Sequence, residues 1–229
     1  RPLIFNNNDR PGIMLSTAIK KYADYYGVMC GKNASFFTNN DTAYESAISL
    51  HKKGINVESI IDIREKSDSK IVNEAESLGI KIYWSHTVID TKGYKKLKEI
   101  SIMQLSKDGD SVVGGKINIT CDCLGMSGGW TPAVHLFTQS GGKLKFRDRD
   151  KVFIPSIYTS KQISIGSCNG DFELDEIIKN LSSSLKIFLE IEKTDIDSLN
   201  IKCSKETNKK NIWLMPSDKV IGKTKPFVD

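Results

Sequence analysis

Short apolar runs alternate with amphipathic stretches along the first part of the chain, and glycines punctuate them. Residues 1–12, RPLIFNNNDRPG, hold two prolines, three asparagines and a glycine, which is loop chemistry. In IMLSTAIKKYADYYG, Met14, Ala18, Tyr22 and Tyr25 fall at helical spacing, and Gly27 is a natural C-terminal stop. ASFF, at Ala34–Phe37, reads as a buried parallel strand. DTAYESAISLHKKG follows as a helix with Ala43, Ala47 and Leu50 on one face and Gly54 at its end. NVESIIDIR is the next strand, SKIVNEAESLG an amphipathic helix ending at Gly79, and IKIYWSHTVIDTKG a third strand. This β-α-β-α-β order predicts a parallel sheet with right-handed crossovers.

From Tyr94 the period changes to two. YKKLKEISIMQLSKDGDSVVGGKINITCDCLGMS, with turn signals at Asp108-Gly109 and Gly114-Gly115, predicts an antiparallel meander. CDCLGMSGGWTPAVHLF is an apolar strand running into glycines and a short helix. Lys151 onward gives another strand, a glycine-containing turn and a long helix. The Lys-rich tail from Asp195, with one apolar island at IWLM, reads as a linker or the start of a next domain.

The chain has 229 residues, 39% hydrophobic and 27% charged, enough to bury a sizeable core in one large or two small domains. Its net charge of +5 is spread along the chain without interleaved aromatics, which favours solvated faces over a nucleic-acid surface. No apolar run approaches the roughly 20 residues needed to span a bilayer, and a leader segment is not evident. The start at RPLIF and the stop at KPFVD suggest an excised piece of a longer protein. Of the five cysteines only Cys121 and Cys123 are close; a C-x-C on a strand places both on one face. One such pair, with no histidine nearby, does not make a zinc site, so no metal ligand is expected and the thiols suit a reducing cytoplasm.

Three segments carry candidate chemistry. A dinucleotide loop after a strand needs glycines so that backbone N–H groups approach the pyrophosphate. At Thr38, Asn40 and Ala43 only the third position fits. Asp41 adds negative charge there, although it is a good N-cap, and the acidic residue expected about 20 residues on is present as Asp62. The pattern favours a Rossmann scaffold without a cofactor at this loop. The second segment is MSGGWTPAVHLF, where Gly128, Gly129 and Trp130 lie between a strand and a helix. The third is SIGSCNGDFELDEIIKNL, where Gly166, Ser167, Gly170 and Asp171 form a strand-to-helix turn. For both, a tight turn exploiting glycine's φ freedom is the alternative to a cofactor edge. His51, His86 and His135 are scattered away from any ligand spacing, the three tryptophans read as core, and no nucleophile elbow or Walker loop occurs.

RPLIFNNNDRPGIML, FFTNNDTAYESAISLHKKGINVESIIDIR, SGGWTPAVHLFTQSGGKLKF and KPFVD together resemble the alpha subunits of heterotetrameric sarcosine oxidases. The resemblance runs across nearly the whole chain but covers only a central portion of that longer subunit. It implies an α/β fold of the two-dinucleotide-domain flavoprotein type. A Rossmann-like βαβ unit with a degenerate glycine loop, residues 33–102, would be inserted in the remainder of a FAD/NAD(P)-binding domain, residues 1–32 and 103–194, with an antiparallel β-meander. The turns at Gly128–Trp130 and Gly166–Asp171 would close over the cofactor of that first domain. The resemblance further implies NAD in the alpha subunit, FAD and FMN in the partner subunit or at its interface, and beta, gamma and delta subunits as partners. A C-terminal folate-binding domain and oxidative demethylation of sarcosine to glycine, with tetrahydrofolate as one-carbon acceptor, belong to the same picture. The amine-oxidising residues of such enzymes lie in the beta subunit, so no catalytic residue is expected here and the fragment alone should be inactive. Two alternatives stay open. One is an alpha-type subunit of a related amine or imino-acid dehydrogenase, against which the lone Cys203 in the iron–sulfur region argues. The other is a non-catalytic Rossmann assembly module.

Overall fold

The computed structural model describes residues 1–190, 210–219 and 224–227. Ile13–Leu15 forms a short strand, β1, that leads directly into helix α1, Ser16–Tyr26. There follow β2 (Asn33–Thr38), α2 (Thr42–Lys52), β3 (Asn56–Asp62), α3 (Lys70–Ser77) and β4 (Ile82–Trp84). Three antiparallel strands come next, β5 (His86–Gly93), β6 (Leu97–Leu105) and β7 (Val112–Thr120), and then β8 (Cys123–Ser127). One parallel sheet has the order β1-β8-β2-β3-β4, and the meander is a separate sheet, β5-β6-β7.

The apolar runs predicted as buried strands are buried on both faces. Alternate residues of the same strand serve opposite cores. Phe36, Ile60 and Cys123 face a cluster that includes Ile19 of α1, Ala43, Ala47 and Leu50 of α2, and Val72 and Ala75 of α3. Phe37, Ile61 and Leu124 face a second cluster with Val88, Leu97, Ile100 and Ile102 of the meander. The helices therefore cover one face of the sheet and the meander the other. Gly125 permits the tight layer on the helix side: a Cβ there would lie 2.7 Å from the Phe36 ring and 3.0 Å from Ile19.

Several expectations are corrected. The inward stripe of α1 is Ser16, Ile19 and Ala23. Tyr22 and Tyr25 point outward, 43% and 78% exposed, and each packs on Tyr26 with ring centroids 5.8 and 4.9 Å apart. The start of the helix at β1 sets this register, and tyrosine, with its polar tip, tolerates either side. The third strand is broken at Ser85, whose φ of 54° turns β4 out of the parallel sheet and into β5. Gly114-Gly115 is not a turn. It lies within β7, where Gly114 at φ 76° sits in a bulge opposite β6; the turn itself is at Asp108-Gly109. Cys121 and Cys123 do not share a face: Cys121 packs in the meander-side cluster and Cys123 in the helix-side cluster. Strand alternation does not reach across Asp122, because β8 begins only at Cys123. Burial pushes both thiols up to about 12, and neither forms a disulfide. Cys203 lies outside the described residues.

Two compact units result, one of Arg1–Gly129 with the described part of the C-terminal tail, the other beginning at Trp130. The parallel sheet runs across 32/33, since β1 and β8 pair with each other and β8 pairs with β2, and 102/103 falls inside β6 of the meander. The second unit contains α4 (His135–Gln139), the hairpin β9 (Lys143–Arg147) and β10 (Val152–Ile157), a 3-10 turn at Gly166–Asn169 and α5 (Leu174–Leu189). No helix among the described residues is long and apolar enough to cross a membrane.

The described tail packs on the first unit, with Met215 buried in the meander-side cluster. One anchor is the Asp90 carboxylate, which accepts from Asn6 Nδ2 at 2.6 Å, Asn7 Nδ2 at 2.8 Å, the Thr91 amide at 2.8 Å and Lys219 Nζ at 2.6 Å. Burial pushes this carboxyl up, but Lys219, Asn7 and the Thr91 amide together hold it below its ordinary value of 3.8. A depressed folded pKa stabilises above the unfolded value, and that contribution is lost as pH falls through the folded value. Acidification below about pH 4 is therefore expected to loosen the tail anchor. Asp90→Asn should reproduce this at neutral pH, read as faster hydrogen exchange across 224–227; identical exchange in the variant would refute it.

Candidate functional site

Ligands of open α/β sheets bind outside the carboxyl ends of the strands. In the first unit that edge carries Thr38 at the end of β2, Asp62 at the end of β3 and Ser127 at the end of β8. Thr38, Asn39 and Asn40 are all buried. The Thr38 hydroxyl donates to Asn40 O at 2.7 Å and accepts from Asn40 N at 3.1 Å. The Asn40 amide donates to Asn39 Oδ1 at 2.8 Å and to Ser127 O at 3.0 Å, while its carbonyl accepts from Thr42 N at 2.9 Å and Ser127 Oγ at 3.1 Å. The loop spends its polar groups on itself and on the end of β8.

Asp41 occupies the N-cap position of α2 without making a side-chain cap bond; Asn40 Oδ1 does the capping instead. Arg64 explains why. Its guanidinium is 2.8 Å from Asp41 Oδ1 and 2.8 Å from Asp62 Oδ2, with side-chain exposures of 4%, 16% and 0% for Arg64, Asp41 and Asp62. Asp62 also accepts from the Arg64 amide at 2.9 Å and from the Tyr44 hydroxyl at 2.8 Å. Burial drives the Asp62 carboxyl up against the pull of Arg64. Burial and the adjacent Asp62 likewise raise Tyr44. Burial alone would lower Arg64, but Asp62 and Asp41 more than offset it, so the guanidinium stays charged. The acid expected about 20 residues beyond the loop is thus held inside an Asp–Arg–Asp–Tyr network. The missing clue was Arg64, two residues beyond Asp62, which strand patterning treats as an ordinary strand end.

The glycine segments belong to different units, each taken by itself. Gly128 is a point of close packing: a Cβ would lie 2.8 Å from Pro2 O and 3.0 Å from Trp213 Cδ1. Its carbonyl accepts from Trp213 Nε1 at 2.6 Å. Gly129, at φ 85°, has no atom within 4 Å of its missing Cβ. Trp130 is 51% exposed, against the expectation of a core tryptophan. In the second unit Gly166 and Gly170 both have positive φ, and Gly170 leaves no room for a Cβ beside Arg147 and Ile154. Ser167 lies in the 3-10 turn and is exposed. Asp171 is buried, and its Oδ2 accepts from Asn169 Nδ2 at 3.1 Å and Asn180 Nδ2 at 3.0 Å. It lines an open hollow of about 420 Å³ with Arg147, Arg149, Glu176, Lys179 and Asn180. A carboxylate so placed is able to accept hydrogen bonds from ligand hydroxyls. No group of His, Cys, Asp and Glu among the described residues has the arrangement of a metal site.

The fold is that of FAD/NAD(P)-binding oxidoreductases. Mycobacterium tuberculosis FprA, an oxidoreductase whose structures include an NADPH complex, superposes with a TM-score of 0.51 at 14% identity, over 86% of this chain and 64% of that one. In sequence the chain is similar to a stretch of sarcosine oxidase alpha subunits. It is 33% identical over 175 residues to that of Corynebacterium sp. (strain P-1), and 35% identical over 150 residues to that of Rhizobium meliloti (strain 1021). The matches cover 76% and 62% of this chain but only 18% and 13% of those proteins. No protein-family model matches.

Proposed function

We propose that this chain is the dinucleotide-domain region of a sarcosine oxidase-type alpha subunit, serving as an NAD-binding and structural part of a multisubunit enzyme. The observation that carries this reading is the 33% identity over 175 residues to a protein of that name. The reaction would be oxidative demethylation of sarcosine to glycine with tetrahydrofolate as acceptor, in a complex with beta, gamma and delta subunits. FAD and FMN would sit in the partner subunit or at its interface. NAD would be held by a first domain to which the second unit contributes. There Asp171 would accept from a ribose hydroxyl, beside the turn made by Gly166, Ser167 and Gly170. The closed loop after β2 supports the companion reading that the first unit is scaffold, as in a non-catalytic assembly module.

Co-expression of the full-length subunit with its partners, followed by denaturation and identification of the released nucleotide, tests this. Stoichiometric NAD, reduced at least about tenfold by Asp171→Ala in a complex that still assembles, is expected; one lost hydrogen bond to a charged group is worth that much. A complex that assembles without nucleotide would leave only the assembly-module reading.

A further inference from the structure

The tail crosses the one edge of the sheet where a ligand would enter. Asn39, the first residue after β2, donates through Nδ2 to Lys210 O at 3.1 Å and Ile212 O at 3.4 Å. Trp213 Nε1 donates to the carbonyl of Gly128, the first residue after β8. Residues 210–213 thus contact the ends of two neighbouring parallel strands. The segment is pinned from the far side as well. Ile4 N donates to Trp213 O at 2.7 Å and Met215 N to Ile4 O at 2.8 Å, a parallel bridge centred on Leu214. Gly109, in the β6–β7 turn, accommodates Ile212: a Cβ there would lie 2.4 Å from Ile212 Cδ1.

Farther along, the tail is held by side chains that imitate a strand. Asn6 Oδ1 accepts from Lys225 N at 2.6 Å, and Asn7 N donates to Lys225 O at 2.9 Å. Asn8 takes both backbone groups of Phe227, accepting from its N–H at 2.6 Å and donating to its carbonyl at 2.9 Å. Lys219 on Asp90 ties the stretch between them. Contacts to backbone groups recognise an extended peptide with little regard to its side chains.

We propose that residues 210–215 are a strap closing the carboxyl edge of the sheet over residues 39–41, and that Asn6, Asn8 and Asp90 form a peptide clamp that holds it down. A ligand approaching the end of β2 meets the strap first, and the amides of Asn39, Asn40 and Thr42 are already engaged. This holds whichever cofactor the second unit's fold accepts.

Hydrogen exchange in the 229-residue chain tests the strap. With Trp213→Ala, exchange across 36–44 and 124–130 is expected to rise at least about tenfold, while 86–105 of β5 and β6 keeps its rate, because local opening is distinct from global unfolding. Free exchange of 210–215 with 36–44 unchanged would overturn the closure. An equal rise through β5 and β6 would also overturn it, by making the segment part of the core. For the clamp, Asn6→Ala with Asn8→Ala is expected to speed tryptic cleavage at Lys210 and Lys219 about tenfold. Cleavage at the wild-type rate would reject it.

Discussion

Arg64→Leu is expected to lower the stability of the chain by about 3–5 kcal/mol, the range for removing one partner of a buried ion pair. The guanidinium reaches the fully buried Asp62 and the nearly buried Asp41 at once. Leucine fills much of the volume but leaves two carboxylates without a cation. Arg64→Lys should recover only part of the loss, because a single ammonium does not reproduce the fork on Asp62 and the reach to Asp41. The deficit should depend on pH. Burial already pushes Asp62 up, and Arg64 is the main force opposing it. Without Arg64 the folded-state pKa rises further above the unfolded one. The folded variant then binds the proton more tightly, so its stability improves below the folded pKa and falls as pH rises through it. Denaturant unfolding at about pH 5 and about pH 8 reads both effects, with the smaller deficit expected at the lower pH. A loss under about 1 kcal/mol, or one equal at both pH values, would show that Arg64 is not the neutralising partner.

The same network marks how far the sequence could be read. The order β2-α2-β3-α3-β4 was legible because buried parallel strands appear as continuous apolar runs and Gly54 and Gly79 end their helices. The missing glycines at Thr38 and Asn40 were equally plain. Less legible was what replaced them. Asp62 matched the template in its spacing from the loop; only the fold shows Arg64 turned back upon it. The face of α1 was misread because tyrosine satisfies a helical apolar pattern while tolerating solvent, and Ser85 breaks a strand without carrying any breaker chemistry. IWLM gave no sign of its destination. Its partners, Asn39, Gly109, Gly128 and Ile4, come from loops distant in sequence, and a contact of that range leaves no local period. Gly128 shows the reverse case. Its place after a strand left a cofactor edge and a tight turn open, and the close approach the structure shows there is to Pro2 and Trp213.

Restoring the glycines is expected to harm the fold without creating a nucleotide site. Thr38→Gly with Asn40→Gly removes the carboxamide that joins Asn39, Thr42 and Ser127, and the hydroxyl that bridges to Asn40 O. At about 1 kcal/mol per lost hydrogen bond, with part of the network replaced by water, the cost is about 2–4 kcal/mol. The new glycines also add unfolded-state entropy. What remains still opposes a pyrophosphate. Asp41 stays paired to Arg64 at the start of α2, which keeps a carboxylate beside the helix end where an anion would bind. Asp62 is still engaged by Arg64 and Tyr44, and Lys210 and Ile212 still lie on Asn39. Calorimetric titration of the double variant with NAD+ and NADP+ should show no binding at micromolar concentrations, and Asn40→Gly alone should behave likewise with a smaller loss of stability. Micromolar affinity in either variant would mean that two side chains alone had closed the pocket, and that the ion network and the strap are incidental to it.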